Sequence, residues 1–168
     1  VLNFTETDEQ VYLFAFTKNQ RAAAVARPGK SQSRQAAPLT PDLKIYVLNT
    51  NRAELDGRIS AFQQLIANRS ADIQPIAREL YDLLLKPAEE QLAGKSQLII
   101  VPDGVLWNLP FQALQAQDGL YLIGDYAVSY VPSLTAYGSI LGLRNRPRAG
   151  IGDNLELLAF GRPALSQE

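Results

Sequence analysis

The sequence predicts an α/β fold in which a mixed, partly parallel sheet is flanked by helices and begins with an amino-terminal β-hairpin. The apolar run Gln97–Val101 (QLIIV) has strand length, and such runs are typical of central strands that helices cover on both faces. Two β-rich runs, 1–5 and 11–17, are separated by the polar residues 7–10, which is the pattern of a hairpin. Between these strands, residues 51–67 carry apolar side chains at helical spacings. Strands that alternate with helices favour a partly parallel sheet.

The composition suits one ordinary globular domain. The chain has 168 residues, of which 46% are hydrophobic and 20% are charged, and its formal net charge is -1. At this length one domain is the default, and about 70% of the surface of the unfolded chain can be buried. The near-zero charge argues against attraction of the whole surface to nucleic acid or to an anionic membrane. The apolar runs are too short to span a bilayer.

Two residue types that carry much of protein chemistry are missing, because the chain contains no His and no Cys. Without them, zinc, haem and most transition-metal sites lose their usual ligands. Thiol catalysis and Ser-His catalysis lose their reactive groups as well. We therefore expect no metal, no cofactor and no catalytic residue in this chain. It also lacks Met and opens with Val1, so we expect it to be a segment of a longer protein.

After the hairpin, residues 18–40 change in character. This segment contains five basic residues, no carboxylate and several Pro, Gly and Ser residues, so it is predicted to be a flexible basic loop. A contact with nucleic acid is the alternative, but no aromatic residues alternate with the basic ones. The chain then returns to a short strand over 43–48.

The first long helix is predicted over 51–67, with Asn51 as its cap. Glu54 lies three residues later and completes a pattern like a capping box. Asn68 can end this helix in the left-handed region. The side chains expected on its inward face are Leu55, Ile59, Phe62 and Ile66.

A second helix is predicted over 72–85. Pro75 fits in its first turn, where the missing N–H group of proline is not needed. A short helix follows from Pro87 to Leu92, and Gly94 closes it. The inward side chains of the second helix are expected to be Ile73, Ile76, Leu80, Leu83 and Leu84.

The rest of the chain is predicted to alternate turns and strands with one more helix, which Ser133 caps. The segments are, in order, a turn at 102–104, a turn leading into a short helix that Pro110 starts within 106–114, a turn at 118–119, strands at 121–123 and 126–131, a helix over 134–143, a loop over 144–154 and a last strand over 157–160. Because no helix follows the last strand, we expect the sheet to need further polypeptide.

Several short motifs suggest binding chemistry but fail on their surroundings. Residues 29–31 and 94–96 both read Gly-Lys-Ser, yet neither has the earlier glycine of a phosphate-binding loop. Residues 150–152 hold part of a dinucleotide fingerprint, but the third glycine and the preceding strand are missing. We interpret these segments as loops or turns.

Asp103, Asp125 and Asp153 could supply a carboxylate pair for acid/base catalysis. Each lies beside a glycine, where aspartate commonly supports a turn, and the turn is the preferred interpretation. Trp107 and Phe111, four residues apart, are interpreted as core anchors rather than as a stacking platform.

Three blocks of the sequence are more specific than these motifs. They are LIIVPDGVLWNLPFQAL at 98–114, YLIGDYAVSYVPSLTAY at 121–137 and LLAFGRPAL at 157–165. In this order and at these separations they resemble the CHAT domain, a caspase-like module often found after tetratricopeptide repeats. The upstream segments VYLFAFTKN and ARELYDLLLKPAEEQLAGK are similar to the opening strand and the long helix of that family.

The resemblance implies a partial caspase-like fold and a clan of cysteine endopeptidases. In that clan a His takes the proton of a Cys thiol, and the thiolate attacks a peptide carbonyl. Both residues lie downstream of the third block in the family, so neither can be carried over to this chain. The resemblance therefore implies that residues 1–168 are the amino-terminal half of one such domain and are inactive alone. Asp103, Trp107, Asn108 and Ser133 would lie on the rim of a groove or interface.

The resemblance also implies the partners. They are the missing carboxy-terminal half of the domain and tetratricopeptide repeats upstream, in a cytoplasm of bacterial type. The alternative is a non-enzymatic module with a degenerate CHAT-like fold that binds a protein partner, because exposed strand edges recruit strands. Neither hypothesis includes a membrane, and a contact with nucleic acid is the least favoured.

Overall fold

The computed structural model describes residues 1–18 and 41–144 of the chain. Most of the basic segment 18–40 lies outside the described residues, together with most of the predicted loop at 144–154 and the last strand at 157–160. Asp153 and the third sequence block lie outside them as well. Within the described ranges, no helix combines the length and the hydrophobicity that crossing a membrane requires.

Five strands form one mixed sheet in the order β3-β2-β1-β4-β5. The first two strands are an antiparallel hairpin, and β3 continues antiparallel to β2. On the other side, β4 lies parallel to both β1 and β5. The strands are β1 Leu2–Glu6, β2 Val11–Lys18, β3 Pro41–Leu48, β4 Gln97–Val101 and β5 Ala127–Tyr130. The predicted fold class, including the hairpin and the strand at 97–101, is confirmed.

Two helices begin at the caps that the sequence predicts. The Asn51 side chain accepts a hydrogen bond from the Glu54 backbone N–H at 2.9 Å, at the start of α1. The Ser133 hydroxyl accepts one from the Ala136 backbone N–H at 3.0 Å, at the start of α5. The helices are α1 Arg52–Ala67, α2 Ile73–Leu84, α3 Glu89–Leu92, α4 Leu122–Asp125 and α5 Leu134–Arg144, with 3-10 turns at Lys86–Ala88, Gly104–Asn108 and Phe111–Ala113.

The main core lies on one face of the sheet, beneath α1 and α2, and we call this face the helix side. Leu2 and Phe4 of β1 point to it and are 1% and 2% exposed. The Phe111 ring joins the strands on this side, with its centroid 5.5 Å from that of Phe4 and 6.2 Å from that of Tyr130. Other fully buried side chains of this cluster are Val11, Leu13, Ala15 and Ile100 from the strands and Leu55, Phe62, Leu80 and Leu84 from the helices.

The last described helix lies on the opposite face of the sheet, over β4 and β5. Tyr137, Ile140 and Leu141 of α5 line a cavity of 270 Å³ together with Ile99 of β4 and Ser129 of β5. Ile140 remains 50% exposed and Leu141 38% exposed. This helix therefore covers its part of the sheet incompletely.

Over the antiparallel strands the same face of the sheet is apolar and accessible. Leu43, Ile45 and Val47 of β3 are 46%, 56% and 59% exposed. Their register partners on β2 point to the same face and are half-buried; they are Tyr12, Phe14 and Phe16. We call these six side chains the open face.

The prediction of a strand at 121–123 is wrong. Tyr121 makes an isolated bridge with Gln115, and the single helical turn α4 begins at the next residue. The Leu122 backbone N–H donates to the Leu114 carbonyl at 2.8 Å, and the Leu122 side chain is 2% exposed. The local strand pattern is overridden here, because strand preference depends strongly on tertiary surroundings.

The carboxyl end of α1 also differs from its prediction. Asn68 has a φ of -82°, and the left-handed residue is Arg69, with a φ of 49°. The Ser70 N–H donates to the Leu65 carbonyl and the Arg69 N–H to the Ile66 carbonyl, both at 3.0 Å, which is the Schellman pattern placed one residue later. Ile66 was expected to point inward but is 37% exposed, since it lies in this last turn.

The position of Phe111 gives a direct test of the core. Phe111→Ala should lower the free energy of unfolding by about 3–5 kcal/mol, because it removes a buried ring between β1 and β5 and leaves a cavity. The matched variant Leu43→Ala, on the open face, should cost less than about 1 kcal/mol. Urea unfolding followed by circular dichroism measures both. Equal losses for the two variants would contradict this assignment of the core.

Candidate functional site

The carboxyl ends of β1, β4 and β5 meet at one edge of the sheet, because these strands are parallel. Glu6 ends β1, Val101 ends β4 and Tyr130 ends β5. In open α/β sheets, ligands bind in the crevice outside this edge. Asp103 and Ser133, two of the predicted rim residues, come shortly after the ends of β4 and β5, so both lie at this carboxyl edge.

The chain leaves β4 through the 3-10 turn Gly104–Asn108, which we call the post-β4 turn. Two backbone N–H groups at its start point at the Glu6 carboxylate. Val105 donates to Oε2 and Leu106 to Oε1, both at 3.2 Å. The first N–H groups of a helical turn lack a full set of partners within it. Here the Leu106 N–H is shared, because it also donates to the Asp103 carbonyl at 3.1 Å. Glu6 therefore caps this turn from a strand 99 residues earlier in the chain.

Asp103 also joins β1 to the post-β4 turn, but here the carboxylate belongs to the turn and one of the N–H donors belongs to β1. Its Oδ2 accepts the Glu6 backbone N–H at 3.0 Å, and its Oδ1 accepts the Gly104 backbone N–H at 3.0 Å. Each carboxylate thus holds backbone from the other's segment. Both oxygens of Asp103 are engaged, which agrees with its interpretation as a turn residue.

Gly104 combines a left-handed backbone with a close approach to the Glu6 side chain. Its φ is 49°, in the left-handed region that side chains disfavour. A Cβ atom at this position would overlap the Glu6 carboxylate, lying 2.8 Å from Glu6 Cδ. The close approach of Glu6 to the turn therefore depends on the missing side chain.

The electrostatics of this contact are set mainly by burial. The half-buried Glu6 has its pKa raised above the ordinary value, first because burial penalises the charged form. The neighbouring Asp103 carboxylate also raises the pKa of Glu6. The N–H groups of Val105 and Leu106 and the charge of Arg52 lower the pKa but do not offset burial.

The other two predicted rim residues lie on the post-β4 turn itself. The Trp107 side chain is 50% exposed, and Asn108 is exposed. The Asn108 carbonyl accepts a hydrogen bond from the Gln63 side chain of α1 at 2.6 Å, which ties the turn to the helix layer. The interpretation of Trp107 as a core anchor is wrong, because Leu106 takes the buried position of the turn. The same interpretation of Phe111 is confirmed.

Polar groups at the end of β5 are also engaged with the backbone. The Tyr130 hydroxyl accepts the Phe111 N–H at 3.1 Å and donates to Gln112 Oε1 at 2.7 Å. Burial raises the pKa of Tyr130, so its hydroxyl keeps its proton at neutral pH. The Ser133 hydroxyl is the cap of α5.

Among residues 1–18 and 41–144, the polar side chains at the carboxyl edge fix backbone geometry. The side-chain oxygens of Glu6, Asp103 and Tyr130 are engaged with backbone or amide groups. The whole sequence has no His and no Cys, so a thiolate and an imidazole cannot both come from it. Within residues 1–18 and 41–144, no group of three or more acidic side chains is placed to hold a metal ion.

Glu6 is a residue of this edge that no local sequence pattern reveals. The strand pattern predicts a strand over 1–5, and Glu6 lies just beyond it, next to the polar loop of the hairpin. Its partners lie about a hundred residues later, and a pairing of that separation leaves no local pattern. A usable signal exists in principle, because the unpaired N–H groups of a turn after a buried strand require an acceptor.

Comparison with known protein families gives a match to more than half of the chain. A family model described as the CHAT domain matches residues 74–168 of this chain. No curated protein and no solved structure matches it. β1 lies before the matched residues but pairs with β4 inside them, so the hairpin and the matched region share one sheet.

The fit between Gly104 and Glu6 can be tested by a double-mutant cycle. Gly104→Ala should lower the free energy of unfolding by more than about 2 kcal/mol, since it adds a contact with Glu6 to the left-handed penalty of about 1–2 kcal/mol. Gly94→Ala is the control, because Gly94 has a φ of 70° and no atom within 4 Å of an added Cβ.

In a Glu6→Ala background, the cost of Gly104→Ala should fall to that of Gly94→Ala. Urea unfolding of the single and double variants measures this coupling. A Gly104→Ala cost that does not depend on residue 6 would contradict the assigned contact.

Proposed function

Since the chain belongs to the CHAT domain family, a caspase-like peptidase-family domain, we propose that it forms the scaffold half of a cysteine endopeptidase domain. The catalytic His and Cys would come from polypeptide outside these 168 residues, which contain neither. Residues 1–168 would then be the amino-terminal half of one domain. The observation that carries this proposal is a carboxyl edge of parallel strands whose polar groups hold backbone, in a chain without either dyad residue.

The geometry of the carboxyl edge supports the proposal that this edge forms one wall of the substrate groove. Reactive groups and ligands of open α/β sheets gather at this edge. Asp103 and Ser133 would keep the edge rigid, because their oxygens cap the post-β4 turn and α5. Trp107 and Asn108 would contact the substrate or the second half, because both side chains are accessible there.

The open face supports the proposal that a large partner packs against this side of the sheet. Three side chains of β3 are about half exposed on it, and they lie beside three half-buried aromatic side chains of β2. Contiguous apolar patches on proteins mark interaction surfaces. We propose that the remaining half of the domain covers this face, with tetratricopeptide repeats upstream and a cytoplasmic location as further parts of the proposal.

A second candidate function is a non-enzymatic interaction module. The observation that favours it is that β3 and β5 each have one edge without a strand partner among the described residues. Such edges accept a strand from another protein. The two functions differ in whether completing the domain produces peptide hydrolysis.

Complementation separates these functions. The 168-residue chain alone should not hydrolyse fluorogenic peptides. Mixed with the polypeptide that follows it in the parent reading frame, it should give hydrolysis that thiol-alkylating reagents abolish, because the thiolate is the nucleophile. Hydrolysis by the chain alone would overturn the proposal. Binding of the two polypeptides without hydrolysis would favour the interaction module.

The role of the open face is tested in the same assay. Ile45→Glu should weaken association of the two halves about tenfold or more, equivalent to about 1.4 kcal/mol, because it places a charge in the apolar contact. Gln64→Glu is the matched control, since it adds the same charge on the exposed side of α1. Equal affinities for the two variants, measured by calorimetry, would contradict the proposed contact.

A further inference from the structure

β3 lies at one end of the sheet, and among the described residues no strand pairs with its side away from β2. We call this side the outer border. All eight residues of β3 pair one to one with β2, so the strand contains no bulge. Its proline, Pro41, is only its first residue. A bulge and a central proline, two features that keep sheet borders from pairing with other chains, are therefore absent from β3.

The hydrogen-bond pattern of the sheet shows which backbone groups of β3 point to the outer border. Val1 and Phe16 exchange both backbone hydrogen bonds at 2.8 Å, so the even-numbered residues of β2 bond to β1 and the odd-numbered ones to β3. In the register, odd-numbered residues of β2 lie opposite even-numbered residues of β3. The N–H and C=O groups of the odd-numbered residues of β3 therefore point away from β2. Within the strand these residues are Leu43, Ile45 and Val47.

The outward groups of β3 form a pattern that complements itself. In a two-fold dimer both copies use the same surface, so two β3 strands that pair antiparallel must be related about one point of the strand. If that point is Ile45, the two copies of Ile45 lie opposite each other, and Leu43 lies opposite Val47 of the second copy. Every outward N–H and C=O group of these three residues then has a partner in the other chain.

The side chains on the helix side of β3 favour the same register. With the pairing centred on Ile45, Lys44 lies opposite Tyr46 of the second copy. Centring on Lys44 would instead place two like charges opposite each other, which is destabilising. Within one chain, Lys44 Nζ lies 3.4 Å from Glu90 Oε2, and the Tyr46 hydroxyl donates to Gln91. Both side chains are thus tied to α3 of their own chain.

We propose that β3 is a dimerisation edge, at which two copies of this chain pair antiparallel about Ile45 and join their sheets. A second copy fits this edge because each outward group of one chain meets its counterpart at the symmetric position of the other. The exposed apolar side chains of the two β3 strands then lie beside each other on one face of the joined sheet, where such cross-strand pairs are stabilising. The pairing uses backbone groups and leaves the open face accessible, so it does not depend on the proposed peptidase role.

Sedimentation equilibrium of the 168-residue chain measures this association. Interfaces that bury less than about 1,200 Å² are weak, so we expect a Kd on the order of 10 µM. Ile45→Pro should raise the Kd about tenfold or more, because it removes an outward N–H group and no hydrogen bond to β2. Ile45→Thr is the matched control. It keeps the N–H group and the strand preference, so it should change the Kd by less than about threefold.

Cross-linking tests the register and does not require the proline variant to fold. The chain has no Cys, so a single introduced cysteine can react only with its counterpart in another chain. Ile45→Cys should form a disulfide-linked dimer under mild oxidation, because residues opposite each other in a hydrogen-bonded pair have Cα atoms about 5.5 Å apart. Val47→Cys alone should not cross-link, but in a mixture it should link to Leu43→Cys.

Three results would overturn the dimerisation edge. The first is a wild-type chain that stays monomeric at concentrations well above the expected Kd, which would leave the outer border to a strand of another protein. The second is an equal Kd for Ile45→Pro and Ile45→Thr, since association would then not use the outward N–H group. The third is cross-linking of Val47→Cys alone that is as efficient as that of Ile45→Cys.

Discussion

The structure depends on the burial of β4 between two parallel neighbours. Leu98 and Ile100 are 2% and 0% exposed on the helix side. The backbone of β4 pairs with β1 along one edge and with β5 along the other. Parallel strands require long crossover connections, usually with helices that cover the sheet. The segment between β1 and β4 meets this demand with α1 and α2, and the 3-10 turns after β4 extend the same layer towards β5.

The carboxyl edge is a consequence of that burial. A chain that leaves a central strand must turn at once, and the N–H groups exposed by the turn need acceptors. Asp103 supplies two acceptors locally, its carboxylate and its backbone carbonyl. Glu6 supplies two carboxylate oxygens from the neighbouring strand. The side chains nearest to the expected crevice are thus committed to holding the backbone. In the proposed domain, the reactive groups would have to come from other polypeptide that packs against this edge.

Much of this architecture follows from local sequence patterns. The hairpin, β4, α1 and the caps Asn51 and Ser133 each have a signal within a few residues, so all were predictable. Tyr121–Ile123 has a local strand pattern, but the buried Leu122 and its bond to Leu114 favour a helical turn. Trp107 fits the apolar spacing of a core position, yet Leu106 occupies the core.

The contact between Glu6 and the post-β4 turn was not predictable for a different reason. It joins residues that are remote in sequence, and it uses a common residue type in an ordinary strand end. The same holds for the open face, because the alternation of Leu43, Ile45 and Val47 reveals which residues share a side but not whether anything covers that side. Local sequence patterns predict many of the elements, and the tertiary arrangement decides which of their faces are accessible.

The separation of 97 residues between Glu6 and Asp103 has a consequence for synthesis of the protein. While the chain emerges from the ribosome, the hairpin can pair and α1 can form, but the parallel side of β1 has no partner until β4 has been made. Non-local pairing of this kind is slow and leaves strand edges accessible to other chains. A nascent chain that pauses before Gln97 therefore presents an incomplete sheet, in which one edge of β1 is still unpaired.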